Sequence, residues 1–131
     1  MSDEWRVASG EIRRYRDLLV WQKAIAWVEA VYAATKEWPA DEKFGLISQV
    51  RRAAVSVPSN IAEGCARRST ADFIRFLLIA RGSLAEVETQ LIIAQRLAYL
   101  SEAALSSLLD PADEISRMLA GLITKLEERR K

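Results

Sequence analysis

The sequence predicts an all-α protein, an antiparallel up-down-up-down four-helix bundle, on three observations. Apolar residues recur at alternating three- and four-residue spacings in four successive segments, the period of one face of an α-helix. Among 131 residues there are only five Gly and three Pro, too few turn formers for a sandwich or barrel of many short strands. Half of the residues are hydrophobic and 28% are charged, the balance of a compact fold rather than of a disordered tail.

The first helix is expected to follow Asp17, placed to cap it. Leu18, Trp21, Ile25, Val28, Tyr32 and Thr35 form one seam, and a second stripe of Val20, Ala24, Trp27, Val31, Ala34 and Trp38 runs beside it. This helix is therefore apolar over more than the face a simple bundle covers. The second helix is expected after Pro39, with Asp41 and Glu42 at the positive end of its dipole. Its seam of Ile47, Val50, Ala54, Val57, Ile61 and Gly64 passes through Pro58, where the continuing register predicts a kink rather than a stop.

Ser69 to Asp72 reads as a capping box for the third helix. Phe73, Leu77, Ala80, Leu84, Val87, Leu91, Ala94 and Ala98 then hold register over about seven turns, and Gly82 within them marks a close helix crossing. The fourth helix starts near Ser101 and carries Leu105, Leu108, Ala112, Ile115, Leu119, Leu122 and Leu126. Asp110-Pro111 either begins a new helix or kinks a single one; the unbroken register favours the single helix. Connections of roughly three to six residues make consecutive helices antiparallel neighbours. The expected organisation is a flexible N-terminal arm over 1–16, the bundle over 17–128 and a basic tail over 129–131.

Composition narrows the chemistry. There is no His, so the commonest general base and metal-binding side chain is missing. The one thiol, Cys65, cannot form an intramolecular disulfide or a multi-thiolate site, which suits a reducing cytoplasm. No secretory signal and no membrane-spanning apolar run are visible. Glu86 and Glu88 lack the Glu-x-x-His pattern of bundle di-metal sites, and no Gly-rich phosphate loop is present. The expectation is no enzymatic activity, no metal and no cofactor. The net charge is only +1, with the clearest local excess of two positive charges over 39–69.

Four constellations stand out. Trp27, Val31 and Trp38 would each forgo about 1.5–3 kcal/mol if left in water, so a contact between copies of the chain is favoured over coverage by an arm carrying Trp5, Ile12 and Tyr15. A polar stripe of Gln49, Arg52, Ser56, Asn60, Glu63 and Arg67 reads as a ligand site or as structural groups. The structural reading is favoured: Ser56 or Asn60 satisfies the Ala54 carbonyl freed by Pro58, while Arg52 and Glu63 pair with neighbouring helices or copies. Arg51, Arg52, Arg67 and Arg68 form two basic pairs about 24 Å apart along the helix, fit either to engage phosphates or to remain solvated. The Arg13-Arg14-Arg16 arm and the Arg129-Arg130-Lys131 tail read as further phosphate contacts or as terminal basic runs that only aid solubility. Cys65, beside Arg67 and Arg68, reads as a thiol of lowered pKa or as a half-buried small side chain; without any His to activate it, the second is favoured.

Several runs carry a family resemblance: Asp17-Leu18 with Val20-Trp21-Gln22-Lys23-Ala24, the long stretch from Arg51 to Gly64, and Ile79-Ala80-Arg81-Gly82-Ser83-Leu84-Ala85-Glu86 followed by Glu88-Thr89-Gln90-Leu91. In these the chain resembles the small proteins encoded in intervening sequences of bacterial 23S ribosomal RNA genes, whose relatives include the accessory variability proteins of diversity-generating retroelements. The resemblance spans about Tyr15 to Leu126, with Ala66 departing from a Glu-Gly-x-Gly-Arg pattern. It implies a bundle that assembles into a ring-like homopentamer, without established enzymatic activity. In the retroelement relatives, the resemblance further implies, a basic barrel works with a reverse transcriptase and nucleic acid. Ser56, Asn60, Glu63 and Gly64 are the motif residues expected to act structurally. The expected partners are further copies of the chain together with RNA or DNA; the alternative is a protein-binding scaffold with no nucleic-acid role.

Overall fold

The computed structural model describes residues 15–130. These form four helices, α1 (Leu19–Thr35), α2 (Leu46–Cys65), α3 (Thr70–Arg96) and α4 (Glu102–Arg130), with 3-10 turns at Tyr15–Asp17 and Ala40–Glu42 and no strand among the described residues. Most of the expected arm, including Trp5, Ile12, Arg13 and Arg14, lies outside the described residues. Tyr15 and Arg16, assigned to that arm, belong to the first turn, and the Tyr15 ring meets Trp21 edge-on at 5.3 Å. At the other end Arg129 and Arg130 continue α4, and Lys131 lies outside the described residues.

Each helix packs on two others in the cyclic order α1, α2, α3, α4, the α2–α3 pair being the most extensive. Neither α1 and α3 nor α2 and α4 approach one another, so each of these pairs occupies opposite corners. The expected seams of α2, α3 and α4 line the core, with Val50, Ala54, Val57, Ile61, Leu77, Leu84, Leu91, Ile115, Leu119 and Leu122 fully buried; the exception is Ala98, expected in the α3 seam, which is exposed beyond the helix end at Arg96. Both proline-containing helices run on through Pro58 and Pro111.

In α1 the two stripes exchange roles. Val20, Ala24, Trp27 and Val31 face the core, and Trp38 joins them from beyond the helix end. Trp21, Ile25 and Val28 of the other stripe are half-buried, and Tyr32 is exposed. Both stripes have helical spacing, so periodicity does not rank them; polar satisfaction helps to. The indole N–H of Trp27 donates to the Leu108 carbonyl of α4 at 3.1 Å, which allows so large a ring to be buried. Trp27, Val31 and Trp38, expected at a contact between copies, therefore belong to the chain's own core.

The helix ends follow local chemistry. Asp17 does not cap α1: Leu18 occupies that position with no side-chain bond, and the 3-10 turn precedes it. The link from α1 to α2 is longer than expected, because Pro39 sits in an extended conformation after Trp38 folds inward, and a 3-10 turn follows it. Glu42 Oε1 accepts the Leu46 amide at 3.1 Å, and its other oxygen accepts the Tyr99 hydroxyl at 2.7 Å. These two bonds, in that order, hold its carboxyl below the usual range. Ser69 accepts the Asp72 amide as expected, while the Asp72 carboxylate meets Arg75 at 3.5 Å. Ser101 caps α4 through the Ala104 amide. Ala98 closes α3 at a φ of 65°, with the Tyr99 amide reaching back to the Ala94 carbonyl.

Candidate nucleic-acid interface and polar cleft

The two arginine pairs divide by role. Arg51 Nε donates to Thr35 Oγ1 at 2.8 Å and Nη2 to the Tyr32 carbonyl at 3.3 Å, with its guanidinium 4.5 Å from the Tyr32 ring centroid. It thus places a cation at the negative end of the α1 dipole and satisfies the buried Thr35 hydroxyl. Arg67 pairs at 3.1 Å with Glu63; this carboxylate, expected to reach a neighbouring helix or copy, instead meets the side chain four residues on. Arg67 and Arg75 both lie over the Phe76 ring. Arg52 and Arg68 are exposed and make no hydrogen bond or ion pair among the described residues. Each pair therefore contributes one structural and one uncommitted guanidinium.

The polar stripe of α2 faces α3. Asn60 Nδ2 donates to both the carbonyl and the hydroxyl of Ser56 at 2.8 Å, and Ser56 Oγ lies 2.9 Å from Ser83 Oγ of α3. The expected bond to the Ala54 carbonyl is replaced by this one, because Asn60 lies one turn beyond Ser56 and reaches its carbonyl directly. Arg52, expected to pair with a neighbour, instead lines a cleft of about 560 Å³ with Phe44, Ser48, Gln49, Ser56, Ser83 and Glu86. Glu86 is steadied from within α3, its Oε2 accepting from the buried Gln90 amide at 3.1 Å.

Gly64 of α2 packs directly against α3. A Cβ there would stand 2.8 Å from Phe76 Cβ and 3.2 Å from the Phe73 carbonyl oxygen, so the crossing requires a residue without a side chain. At Gly82 the same construction meets nothing within 4 Å, so the expected helix crossing is absent among the described residues. Gly82 lies on an outward face of α3 that carries Leu78, Ile79, Ile92 and Ile93, each 41–45% exposed. A second apolar surface, a groove of Trp21, Ile25, Val28, Val55, Pro58 and Ala62, lies between α1 and α2.

Cys65 is half-buried, and burial first, then the charge of Asp17, pushes its thiol up. The lowered pKa that the adjacent arginines would give is not found, because desolvation and a carboxylate outweigh them.

Sequence reading missed one half-buried acid. Glu88 of α3 is raised by burial first, and then by the charge of Asp113 of α4 and its hydrogen bond. Only the docking of α3 on α4 brings these two together. A raised acid pKa stabilises the fold below the unfolded value of about 4.3, and that contribution is lost as pH rises through the folded value. Glu88→Gln is therefore expected to lose less thermal stability than the parent between about pH 4 and pH 7. Parallel melts over that range check this; identical pH dependence would contradict it.

The geometry can be set beside known proteins. Residues 16–121 match the family model described as 23S rRNA-intervening sequence protein. A crystal structure of a protein of unknown function from the S23 ribosomal protein family of Bacteroides thetaiotaomicron is similar, at 26% identity and a TM-score of 0.74. That similarity covers 81% of this chain and 96% of the other. No curated protein matches the chain. With the family model spanning all of α1, α2 and α3 and most of α4, the chain belongs to the 23S rRNA-intervening sequence proteins.

Proposed function

We propose that the protein is a non-enzymatic helical bundle that assembles with copies of itself into a ring and serves as a nucleic-acid or ribonucleoprotein accessory. The helices alternate in direction in this reading. Links over 66–69 and 97–101 reach at most about 18–22 Å, whereas the 27 residues of α3 extend about 40 Å, so α3 and α4 each start at the end where the helix before them stopped.

Assembly is supported by the outward faces of α1 and α3. These helices sit at opposite corners; α3 carries exposed apolar residues, and α1 shares with α2 a groove lined by half-buried ones. Two unlike surfaces on opposite sides suit a head-to-tail contact, which closes into a ring when the rotation allows. Five copies follow the family resemblance. The reducing cytoplasm fits a chain whose one cysteine is half-buried, and no helix among the described residues is long and apolar enough to cross a membrane.

The observation that carries the nucleic-acid role is the pair of uncommitted guanidiniums, Arg52 and Arg68, repeated in every copy of a ring. Several weak phosphate contacts then act together. The family's tie to 23S rRNA genes points to RNA as the natural probe. RNA affinity is expected to fall steeply with salt, and an Arg52→Ala/Arg68→Ala variant to flatten the slope by about one for each phosphate its guanidiniums no longer neutralise. Absence of RNA binding at low salt would overturn the reading. A protein-binding scaffold is the second reading, favoured by the internal use of Arg51 and Arg67.

A further inference from the structure

We infer that the α2–α3 cleft is a nucleotide site in which Phe44 stacks on a base and Arg52 engages a phosphate. The inference deepens the RNA reading above and rests on it for the source of the nucleotide. Phe44 is the starting observation. Its ring is 90% exposed at the mouth of the cleft, far more than any other large apolar side chain among the described residues. Such a ring contributes nothing to the core, and a flat apolar face in water is what a nucleobase covers.

The rest of the cleft complements the other parts of a nucleotide. Arg52, two turns along α2, brings a guanidinium with no partner among the described residues, shaped to hold two phosphate oxygens. Lys43, with its ammonium 5.5 Å from the Phe44 ring centroid, adds a second cation beside that ring. Ser56 and Ser83 share one hydrogen bond between two hydroxyls, whichever of them donates. One hydroxyl hydrogen of the pair is therefore left over for a phosphate or ribose oxygen. Across from Arg52, Glu86 is held by Gln90 through one oxygen only, which leaves Oε1 to accept a ribose hydroxyl or a base amino group.

The combination discriminates among ligands. An inorganic anion would leave Phe44 unused and would meet the Glu86 charge. A wholly apolar ligand would strand Arg52 and the hydroxyls. A group that joins a flat ring, hydrogen-bond donors and an anion uses all of them, and the cleft volume of about 560 Å³ lies within the roughly 300–1,000 Å³ usual for small-ligand sites.

Calorimetric titration of the full chain with adenosine monophosphate, inorganic phosphate and a short oligoadenylate RNA tests this, in the parent, Phe44→Ala and Arg52→Ala. Both side chains are exposed and outside the core, so both variants are expected to fold. The nucleotide and the RNA should bind, each variant should weaken both by about tenfold or more, and phosphate alone should not bind at the same concentration. Equal affinity in the parent and both variants, or no heat with either nucleotide ligand, overturns the inference. RNA binding that is salt-dependent but indifferent to Phe44→Ala rejects the cleft and leaves the RNA reading standing. Mononucleotide binding abolished in both variants, with no RNA affinity, supports the cleft as a free-nucleotide site and rejects the RNA role.

Discussion

Trp27→Ala is expected to cost about 3–5 kcal/mol, the usual range for removing a buried aromatic side chain. The indole is only 2% exposed in the chain's own core, and its N–H holds the Leu108 carbonyl of α4, so the substitution opens a cavity and breaks the α1–α4 tie together. Against a domain stability of about 5–15 kcal/mol this is a large fraction, and the melting temperature should fall by about 10–20 °C. Trp27→Phe keeps most of the volume, so it should cost less than Trp27→Ala: about 1 kcal/mol for the hydrogen bond, plus the smaller gap left by the lost ring atoms. Circular dichroism melts of both variants check the order. A Trp27→Ala protein that melts like the parent and merely changes its association state would return this residue to a surface between copies.

The second large effect is expected at Gly64. Alanine there gains about 1 kcal/mol of helix preference, but overpacking of this kind costs typically about 1–3 kcal/mol and occasionally more. The Phe76 Cβ at 2.8 Å and the Phe73 carbonyl oxygen at 3.2 Å are anchored to the α3 backbone and cannot swing aside like a side-chain tip. Gly64→Ala should therefore be net destabilising, and Gly64→Leu should prevent the α2–α3 pair from docking. Denaturant unfolding of the alanine variant measures the first; an unchanged or higher midpoint would show that α3 moves away freely.

How far the sequence was legible follows from what each signal encodes. The seams of α2, α3 and α4 were readable because each holds its three- and four-residue register along the helix, and the Ser69 cap because its partner amide lies three residues on. In α1 two stripes of equal spacing compete, and the deciding contact comes from Leu108, 81 residues away, which no local pattern contains. The arginine pairs illustrate the same limit. Arg51 and Arg52 are adjacent and chemically identical, yet a rotation of about 100° per residue turns one toward the end of α1 and the other toward the cleft. Phe44, Arg52, Ser83 and Glu86 were not read as one site, because Phe44 lies in the α1–α2 link, Arg52 on α2 and the other two on α3, and these meet only after α2 and α3 dock. An exposed aromatic in a link is also indistinguishable, in sequence, from one folded inward such as Trp38.

The claim that copies of the chain cover the outer faces of α1 and α3 is most directly tested by the solution mass. Multi-angle light scattering should give a multiple of the 14.7 kDa chain, five copies by the family resemblance. Ile79→Glu with Ile93→Glu, at positions 42% and 44% exposed in the single chain, should lower that mass while leaving the helical signal intact. A parent protein that runs at the mass of one chain at micromolar concentration would contradict the account.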